Sequence, residues 1–231
     1  MDNNHQYIRI ACSCCGMTRD VPKYCGNRFC DVCSGSRRLR LRERLEALTR
    51  AVPKRERYRW RFLTLTIPRQ SDPAIGLDTV YASFRRLRQR KWWKERVSGG
   101  IVVAELTKNE SGWNVHLHVL VYSQYLPQFH IVKLWRQVSP GKIVDIRLVD
   151  SKKAIGYITK YVSKLSVPEE AQEVAARALN SRRLYSAFGV CHNIRVDARP
   201  VPFCCPNCSS SSWIRLDEVL YTKGQVVDSF T

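Results

Sequence analysis

Two histidines at alternate positions, His116 and His118, are the residues whose type and spacing point most directly to chemistry. They lie in an alternating polar and apolar run, residues 113–122, and such a run predicts a β-strand. Successive side chains of a strand point to opposite faces, so both imidazoles project to one face while Val115 and Leu117 join the core. Two nitrogen donors on one face could hold a metal ion, although a His-x-His pair alone is more often ordinary packing.

Glu105 is the candidate for a third ligand. Residues 101–107 predict a strand that turns through residues 109–112 into the histidine strand as a β-hairpin, and cross-strand pairing would bring Glu105 beside the imidazoles. The alternative is an edge carboxylate paired with a surface arginine, and Glu110 in the turn is a second candidate. Mixed nitrogen and oxygen ligands suit Mn²⁺ or Mg²⁺.

A second set of reactive side chains follows later in the chain. If residues 155–164 form a helix, the positions i, i+3, i+4 and i+7 share one face and carry Tyr157, Lys160, Tyr161 and Lys164. A phenol has a pKa of about 10, so a tyrosine nucleophile at neutral pH needs a nearby cation or the metal. The two lysines supply that charge, although two tyrosines a helical turn apart are usually packing residues.

Taken in order, these motifs resemble those of the HUH superfamily of single-strand DNA nickases. The likeness is to the two-tyrosine rolling-circle replication initiators of small phages and plasmids and to the related two-tyrosine transposases. Residues 62–66, Phe-Leu-Thr-Leu-Thr, are similar to the first motif strand of that family, and the resemblance covers roughly residues 58–165. Thr64 and Thr66 face the same way and could either touch substrate or reflect β propensity.

The resemblance implies a site-specific single-strand DNA endonuclease and strand transferase. It implies that Tyr157 and Tyr161 are nucleophiles that leave a 5′-phosphotyrosyl DNA and a free 3′-hydroxyl, and that this reaction starts and ends rolling-circle replication. Two alternatives stay open. One keeps the chemistry but assigns it to a transposase, and the other is a non-catalytic zinc-ribbon protein that binds nucleic acid.

The N-terminal cysteines have the spacing of zinc ligands. Two Cys-x-x-Cys pairs, Cys12/Cys15 and Cys30/Cys33, are separated by a loop of the length usual in a four-cysteine site. Alternatively, Cys25 joins Cys30 and Cys33 as three ligands, and the first pair closes a site elsewhere. The segment also resembles the cysteine-rich stretch ahead of the nuclease in several members of the superfamily.

A further half-site lies near the other end of the sequence, where Cys205-Pro-Asn-Cys208 offers two thiolates. Its remaining ligands could be Cys191 and His192, or the first N-terminal pair. The sequence therefore predicts one or two structural zinc ions without fixing how the ligands combine. Ten cysteines without a signal peptide suggest a reducing compartment, and we expect a cytoplasmic protein.

The charge of the chain favours a polyanionic partner. The sequence has 39 Lys and Arg against 20 Asp and Glu, a formal net charge of +19, which suits single-stranded DNA or an origin hairpin better than a membrane or a neutral metabolite. Candidate phosphate contacts on two predicted helices, residues 37–48 and 77–97, are Arg37, Arg38, Arg40, Arg85, Arg86 and Lys91. We also expect a separate helicase to unwind the DNA, since 231 residues leave no room for one.

The element pattern predicts an α+β fold, as the HUH resemblance also implies. A central, mainly antiparallel five-stranded sheet is expected with helices and with zinc-binding elements at both ends. The expected division is a cysteine-rich element at 1–36, a basic helix at 37–57, a nickase domain at 58–182 and a cysteine-containing element at 183–231. A terminal hairpin is expected at 213–228.

Overall fold

The computed structural model describes residues 5–150, 153, 155–156, 158–159, 167–183, 185–192, 194, 203–222 and 225–227. They form two compact units, one built from residues 1–35 and 199–231 and the other from residues 36–198. The four-part division expected from the sequence stays a prediction. Among the described residues, no helix has the length and apolar character needed to cross a membrane.

The first unit is an antiparallel four-stranded sheet with the strand order β2-β1-β8-β9. Its strands are β1 (His5–Cys12), β2 (Thr18–Pro22), β8 (Trp213–Thr222) and β9 (Gln225–Val227). The predicted terminal hairpin corresponds to β8 and β9, which pair in antiparallel register. Because β1 pairs with β8, this small sheet joins sequence from both ends of the chain.

The second unit contains an antiparallel five-stranded sheet with the order β6-β3-β5-β4-β7. The strands are β3 (Arg59–Thr66), β4 (Val97–Asn109), β5 (Gly112–Ser123), β6 (Val144–Leu148) and β7 (Ser186–Gly189). The described helices are α1 (Asp31–Ala51), α2 (Pro73–Gln89), α3 (Lys91–Arg96), α4 (Gln128–Val138) and α5 (Gln172–Leu179), with a 3₁₀ turn at Glu169–Ala171. The expected mixed α+β architecture with an antiparallel five-stranded sheet is confirmed.

Alternation along β5 gives the sheet its two faces. Val115, Leu117, Val119 and Val121 are fully buried on one face, as the sequence predicts. Helix α2 covers this face so closely that a Cβ on Gly76 would lie 2.6 Å from a methyl group of Val115. The opposite face carries the two histidines.

A hydrophobic cluster covers part of the histidine face. It combines sheet residues with a stripe of α1 and with two residues near Tyr157 in the sequence. The α1 members include Leu41, Leu45 and Leu48, the sheet members are Phe62, Ile101, Val103, Leu120 and Tyr122, and the other two are Ile155 and Ile158. Helix α1 begins at Asp31, earlier than the helix predicted at residues 37–48. An acidic residue in the first turn is favourable there, because the helix dipole is positive at its N-terminus.

The long helix expected at residues 77–97 is wrong in its bounds. Helix α2 begins earlier, where Pro73 follows the capping Asp72, whose carboxylate accepts a hydrogen bond from the Ala74 amide at 2.7 Å. The helix ends at Arg90, which has an extended conformation (φ −64°, ψ 134°). A short α3 follows, and Val97 already belongs to β4.

Candidate active site and cysteine clusters

The register of three strands assembles the candidate active site. Strand β5 lies between β3 and β4, with Thr66 and Glu105 paired to His116 on either side. Thr64 is likewise paired to His118. Because directly paired residues point to the same face, these five side chains occupy one patch of the sheet.

Each imidazole has a hydroxyl beside its Nδ1 atom. Nδ1 of His116 lies 3.0 Å from Oγ1 of Thr66, and Nδ1 of His118 lies 3.3 Å from Oγ1 of Thr64. Nε2 of His118 lies 2.8 Å from a carboxylate oxygen of Glu105. Each threonine of β3 therefore contacts the Nδ1 atom of one imidazole. Glu105 of β4 contacts the other ring nitrogen of His118.

Burial differs between the two rings. His118 is only 3% exposed, and its ring stacks on Phe62 with centroids 5.5 Å apart, whereas His116 is partly exposed. Burial lowers the pKa of His116, an effect that Glu105 opposes and His118 reinforces. The neutral imidazole, which is the form that ligates metals, is thus favoured at neutral pH.

These three side chains offer the nitrogen and oxygen donors that Mn²⁺ or Mg²⁺ accept, although their ligand atoms do not all lie within 4.8 Å of one another. The two rings point from the same face with centroids 6.4 Å apart, and a carboxylate oxygen already lies within hydrogen-bonding distance of one Nε2. Fixing Nδ1 by a second residue is the usual way in which proteins orient a histidine ligand. His116, His118 and Glu105 are therefore brought together as the sequence predicted, while their role as ligands stays a prediction.

The predicted nucleophiles Tyr157 and Tyr161, with Lys160 and Lys164, lie outside the described residues. Their neighbours Ile155, Ile158 and Thr159 are helical and buried. Oγ1 of Thr159 donates a hydrogen bond of 2.7 Å to the carbonyl oxygen of Ile155. Because Ile155 and Ile158 belong to the hydrophobic cluster on the histidine face, the residues next to Tyr157 pack on the same side of the sheet as the imidazoles.

The candidate DNA-binding side chains fall on different layers of the second unit. Arg38 and Arg40 are exposed on α1, which covers the histidine face, but Arg37 is only 7% exposed. Arg85 and Arg86 are exposed on α2, on the opposite face of the sheet, and Lys91 is exposed on α3. In addition, Nε of Arg86 donates to the carbonyl oxygen of Val138 at 3.0 Å.

Seven of the nine cysteines of the first unit form two clusters. In one, Sγ of Cys12 lies 3.5 Å from Sγ of Cys208, and Sγ of Cys15 lies 3.6 Å from Sγ of Cys205. Two thiolates on a tetrahedral zinc ion with bonds of about 2.3 Å would be roughly 3.8 Å apart, so these separations suit a metal. The Asn207 side chain lowers the pKa of Cys15 to about 6, which favours its ligating thiolate form.

The other cluster contains Cys25, Cys30 and Cys33 together with His5, which the sequence analysis missed. Sγ of Cys25 lies 3.7 Å from Sγ of Cys33, and Sγ of Cys30 lies 3.4 Å from Nδ1 of His5. A lone histidine far from the cysteines in sequence has no spacing signal. Only the path of β1 brings it here.

These clusters decide between the groupings left open by the sequence. The four-cysteine grouping of Cys12/Cys15 with Cys30/Cys33 is wrong, since the two pairs belong to separate clusters. The alternative in which Cys205 and Cys208 close against Cys12 and Cys15 matches the structure. Cys191 and His192 are not the missing ligands.

Cys191 is instead part of a hydrophobic core. It is 1% exposed within the cluster on the histidine face, and burial raises the pKa of its thiol to about 12. Among the described residues, Cys191 belongs to neither cysteine cluster, so its thiol has a packing role. His192 lies at the end of the β7 turn, where its amide donates to the carbonyl oxygen of Gly189.

Comparison with known proteins gives one match. The family model Rep_1, described as a replication protein, matches residues 18–200. This range is more than three quarters of the chain and includes the histidine face and residues 155–164. No curated protein and no solved structure matches.

Proposed function

Because the chain belongs to the Rep_1 replication protein family, we propose that it is a nicking endonuclease and strand transferase of the two-tyrosine HUH type. It would initiate and terminate rolling-circle replication through a 5′-phosphotyrosine intermediate. One observation carries this proposal beyond the family: the sheet face that presents His116, His118 and Glu105 also packs the residues next to Tyr157.

His116, His118 and Glu105 would hold Mn²⁺ or Mg²⁺. When bound, such an ion neutralises charge on the phosphoryl oxygens of the scissile phosphate. When Nε2 of each ring is the metal ligand, Nδ1 carries the ring proton. The Nδ1–H group can then donate a hydrogen bond to a threonine oxygen. Thr64 and Thr66 lie where they can accept these bonds.

Tyr157 and Tyr161 would be the nucleophiles. One tyrosine would lose its phenol proton to solvent, and its oxygen would form a bond to phosphorus while the bond from phosphorus to the 3′ oxygen breaks. The 3′ oxygen would then take up a proton from solvent and leave as a hydroxyl. Lys160 and Lys164 would favour the phenolate through their positive charge. With two tyrosines, one holds the first 5′ end while the other cuts again, and the freed 3′-hydroxyl attacks the held end.

The direct test uses single-stranded oligonucleotides labelled at one end. With Mn²⁺ present, we expect an oligonucleotide labelled at its 3′ end to give a labelled protein band that survives denaturation. The same oligonucleotide labelled at its 5′ end should release a free fragment that a polymerase can extend. Cleavage that leaves a free 5′-phosphate and no adduct would show a hydrolase instead.

We further propose that each cysteine cluster holds one zinc ion. Elemental analysis of the purified chain should then give two zinc ions per molecule. The double variant Cys205→Ser with Cys208→Ser should retain one, because Cys12 and Cys15 alone offer two ligands. Cys191→Ser is the matched control and should keep both ions, since its thiol lies in a hydrophobic cluster. A full complement in the double variant would contradict the assignment.

A prediction for the threonines follows from their contacts. Replacing both Thr64 and Thr66 by valine keeps their shape but removes the acceptors beside Nδ1, so Mn²⁺ affinity should fall by about 10- to 100-fold. Titration calorimetry checks this without any turnover. Serine at both positions keeps the hydroxyls and should restore most of the affinity. Equal affinity in the valine and wild-type proteins would limit the threonines to a packing role.

The separate helicase, the cytoplasmic location and the DNA contacts of the arginines remain predictions.

A further inference from the structure

An ordered aromatic pair lies on the surface of the first unit. The rings of Phe203 and Trp213 have centroids 5.1 Å apart with an interplanar angle of 33°. Nε1 of Trp213 donates a hydrogen bond of 2.7 Å to the carbonyl oxygen of Phe203, which fixes the two residues against each other. Even so, Phe203 is 44% exposed and Trp213 is only half-buried.

Two arginines lie on the same surface as this aromatic pair. The guanidinium carbon of Arg19 lies 5.2 Å from the centroid of Phe203, a cation–π contact that orients the charged group. Arg19 on β2 and Arg215 on β8 both pair with Ile10 of the intervening β1. They therefore share a face with Trp213, two residues before Arg215, and both are exposed.

One cysteine cluster lies next to this surface. Trp213 is paired with Cys12 across the β1–β8 ladder, and Phe203 precedes Cys205 by two residues. Both cysteines belong to the same cluster. A metal ion there would hold together the strand and the loop that bring the two rings into contact.

From this arrangement we propose that Arg19, Phe203, Trp213 and Arg215 form a binding surface for unpaired bases of single-stranded DNA, outside the nicking site. Exposed aromatic rings next to arginines are the chemistry that such strands require, since every base has a face for stacking and every nucleotide a negative charge. A duplex would bind less well, because its bases are already stacked on each other. The proposal takes its ligand from the proposed function, whereas its test involves binding alone.

The test measures binding of a fluorescent oligothymidine to the zinc-loaded protein by anisotropy, without Mn²⁺ or Mg²⁺. Phe203→Ala should weaken binding by about 5- to 150-fold, the range that corresponds to loss of one stacked base. Ile214→Ala is the matched control: Ile214 is 55% exposed on the same strand but points to the other face, so affinity should be unchanged. Zinc content must stay equal in both variants.

Two further variants separate stacking from charge. Trp213→Phe should keep the affinity within about twofold but remove part of the tryptophan quenching that accompanies DNA binding. Arg19→Ala should lower the dependence of log affinity on log salt by about 0.7, the value for one phosphate contact on a single strand. Unchanged affinity and salt dependence in Phe203→Ala and Arg19→Ala would overturn the proposal and favour a protein partner for this surface.

The outcome of this binding test does not depend on whether the protein nicks DNA. If Phe203→Ala loses affinity while the wild-type protein forms no covalent adduct, the surface stands and the proposed function fails. If the adduct forms normally but Phe203→Ala binds like the wild type, the proposed function stands and this inference fails.

Discussion

Replacing Tyr157 and Tyr161 together by phenylalanine is expected to abolish the covalent protein–DNA adduct and to lower the nicking rate by at least about 1000-fold. Phenylalanine keeps each ring but removes the hydroxyl group to which the proposed function assigns the attack on phosphorus. Denaturing electrophoresis with a 3′-labelled oligonucleotide measures both quantities. DNA binding without Mn²⁺ should stay within about twofold of the wild type, because the loss is one of chemistry.

The single variants sharpen this expectation. Either Tyr157→Phe or Tyr161→Phe should still form an adduct through the remaining tyrosine, but should lose most of the transfer that joins two successive cuts. If the double variant retains nicking, a different nucleophile is at work. If the double variant and the wild-type protein bind DNA equally and neither cuts, the chain is a non-catalytic binder.

His118→Ala is expected to lower the rate of Mn²⁺-dependent nicking by more than about 100-fold. Loss of a residue that only orients a metal ligand costs about 10- to 100-fold, so a larger decrease is expected for the ligand itself. The substitution removes a ring whose two nitrogens contact Thr64 and Glu105. Since His118 is almost fully buried, the variant is also expected to unfold at a lower temperature, which a thermal melt will register. Nicking should therefore be measured well below that transition.

His130→Ala is the matched control for this loss. His130 stacks on Trp92 with ring centroids 4.1 Å apart, on helix α4 and away from the histidine strand. The nicking rate of His130→Ala should equal that of the wild-type protein. Equal losses in both variants would mean that general destabilisation, and not a missing ligand, explains the effect of His118→Ala.

The alternation in residues 113–122 was enough to predict which face of β5 is core and which carries the imidazoles. The predicted hairpin also placed Glu105 beside the imidazoles, and in the structure Glu105 is paired with His116. What the sequence could not give was the diagonal contact of Glu105 with His118, or the threonines beside each Nδ1. The first depends on side-chain conformations across the β4–β5 hairpin. The second depends on how β3 pairs with β5, which no local pattern specifies.

The helix break at Arg90 had no sequence signal, because Arg90 and its neighbours are good helix formers. The strand predicted at residues 101–107 begins earlier in the structure, so Gly99 and Gly100 both lie within β4. A Cβ on Gly99 would meet the carbonyl oxygen of Phe188 at 2.6 Å, and one on Gly100 would meet that of Leu120 at 2.4 Å. These glycines permit a close approach of backbone, which a sequence without its fold cannot distinguish from a turn.

The cysteine groupings show a different limit. The sequence spacing identified the Cys-x-x-Cys pairs, but such pairs can combine into metal sites in several ways. The combination is determined by the pairing of β1 with β8. That long-range pairing places Cys12 and Cys15 beside Cys205 and Cys208 and leaves His5 at the start of the strand for the other cluster. Local spacing is thus a guide to ligand type, while tertiary structure determines ligand sets.

The central claim is that Tyr157 or Tyr161 attacks DNA on the histidine face. The most direct measurement is peptide mapping by mass spectrometry of the adduct formed from an oligonucleotide and Mn²⁺. The account predicts a nucleotide linked through its 5′-phosphate to Tyr157 or Tyr161. A nucleotide attached to any other residue would contradict it.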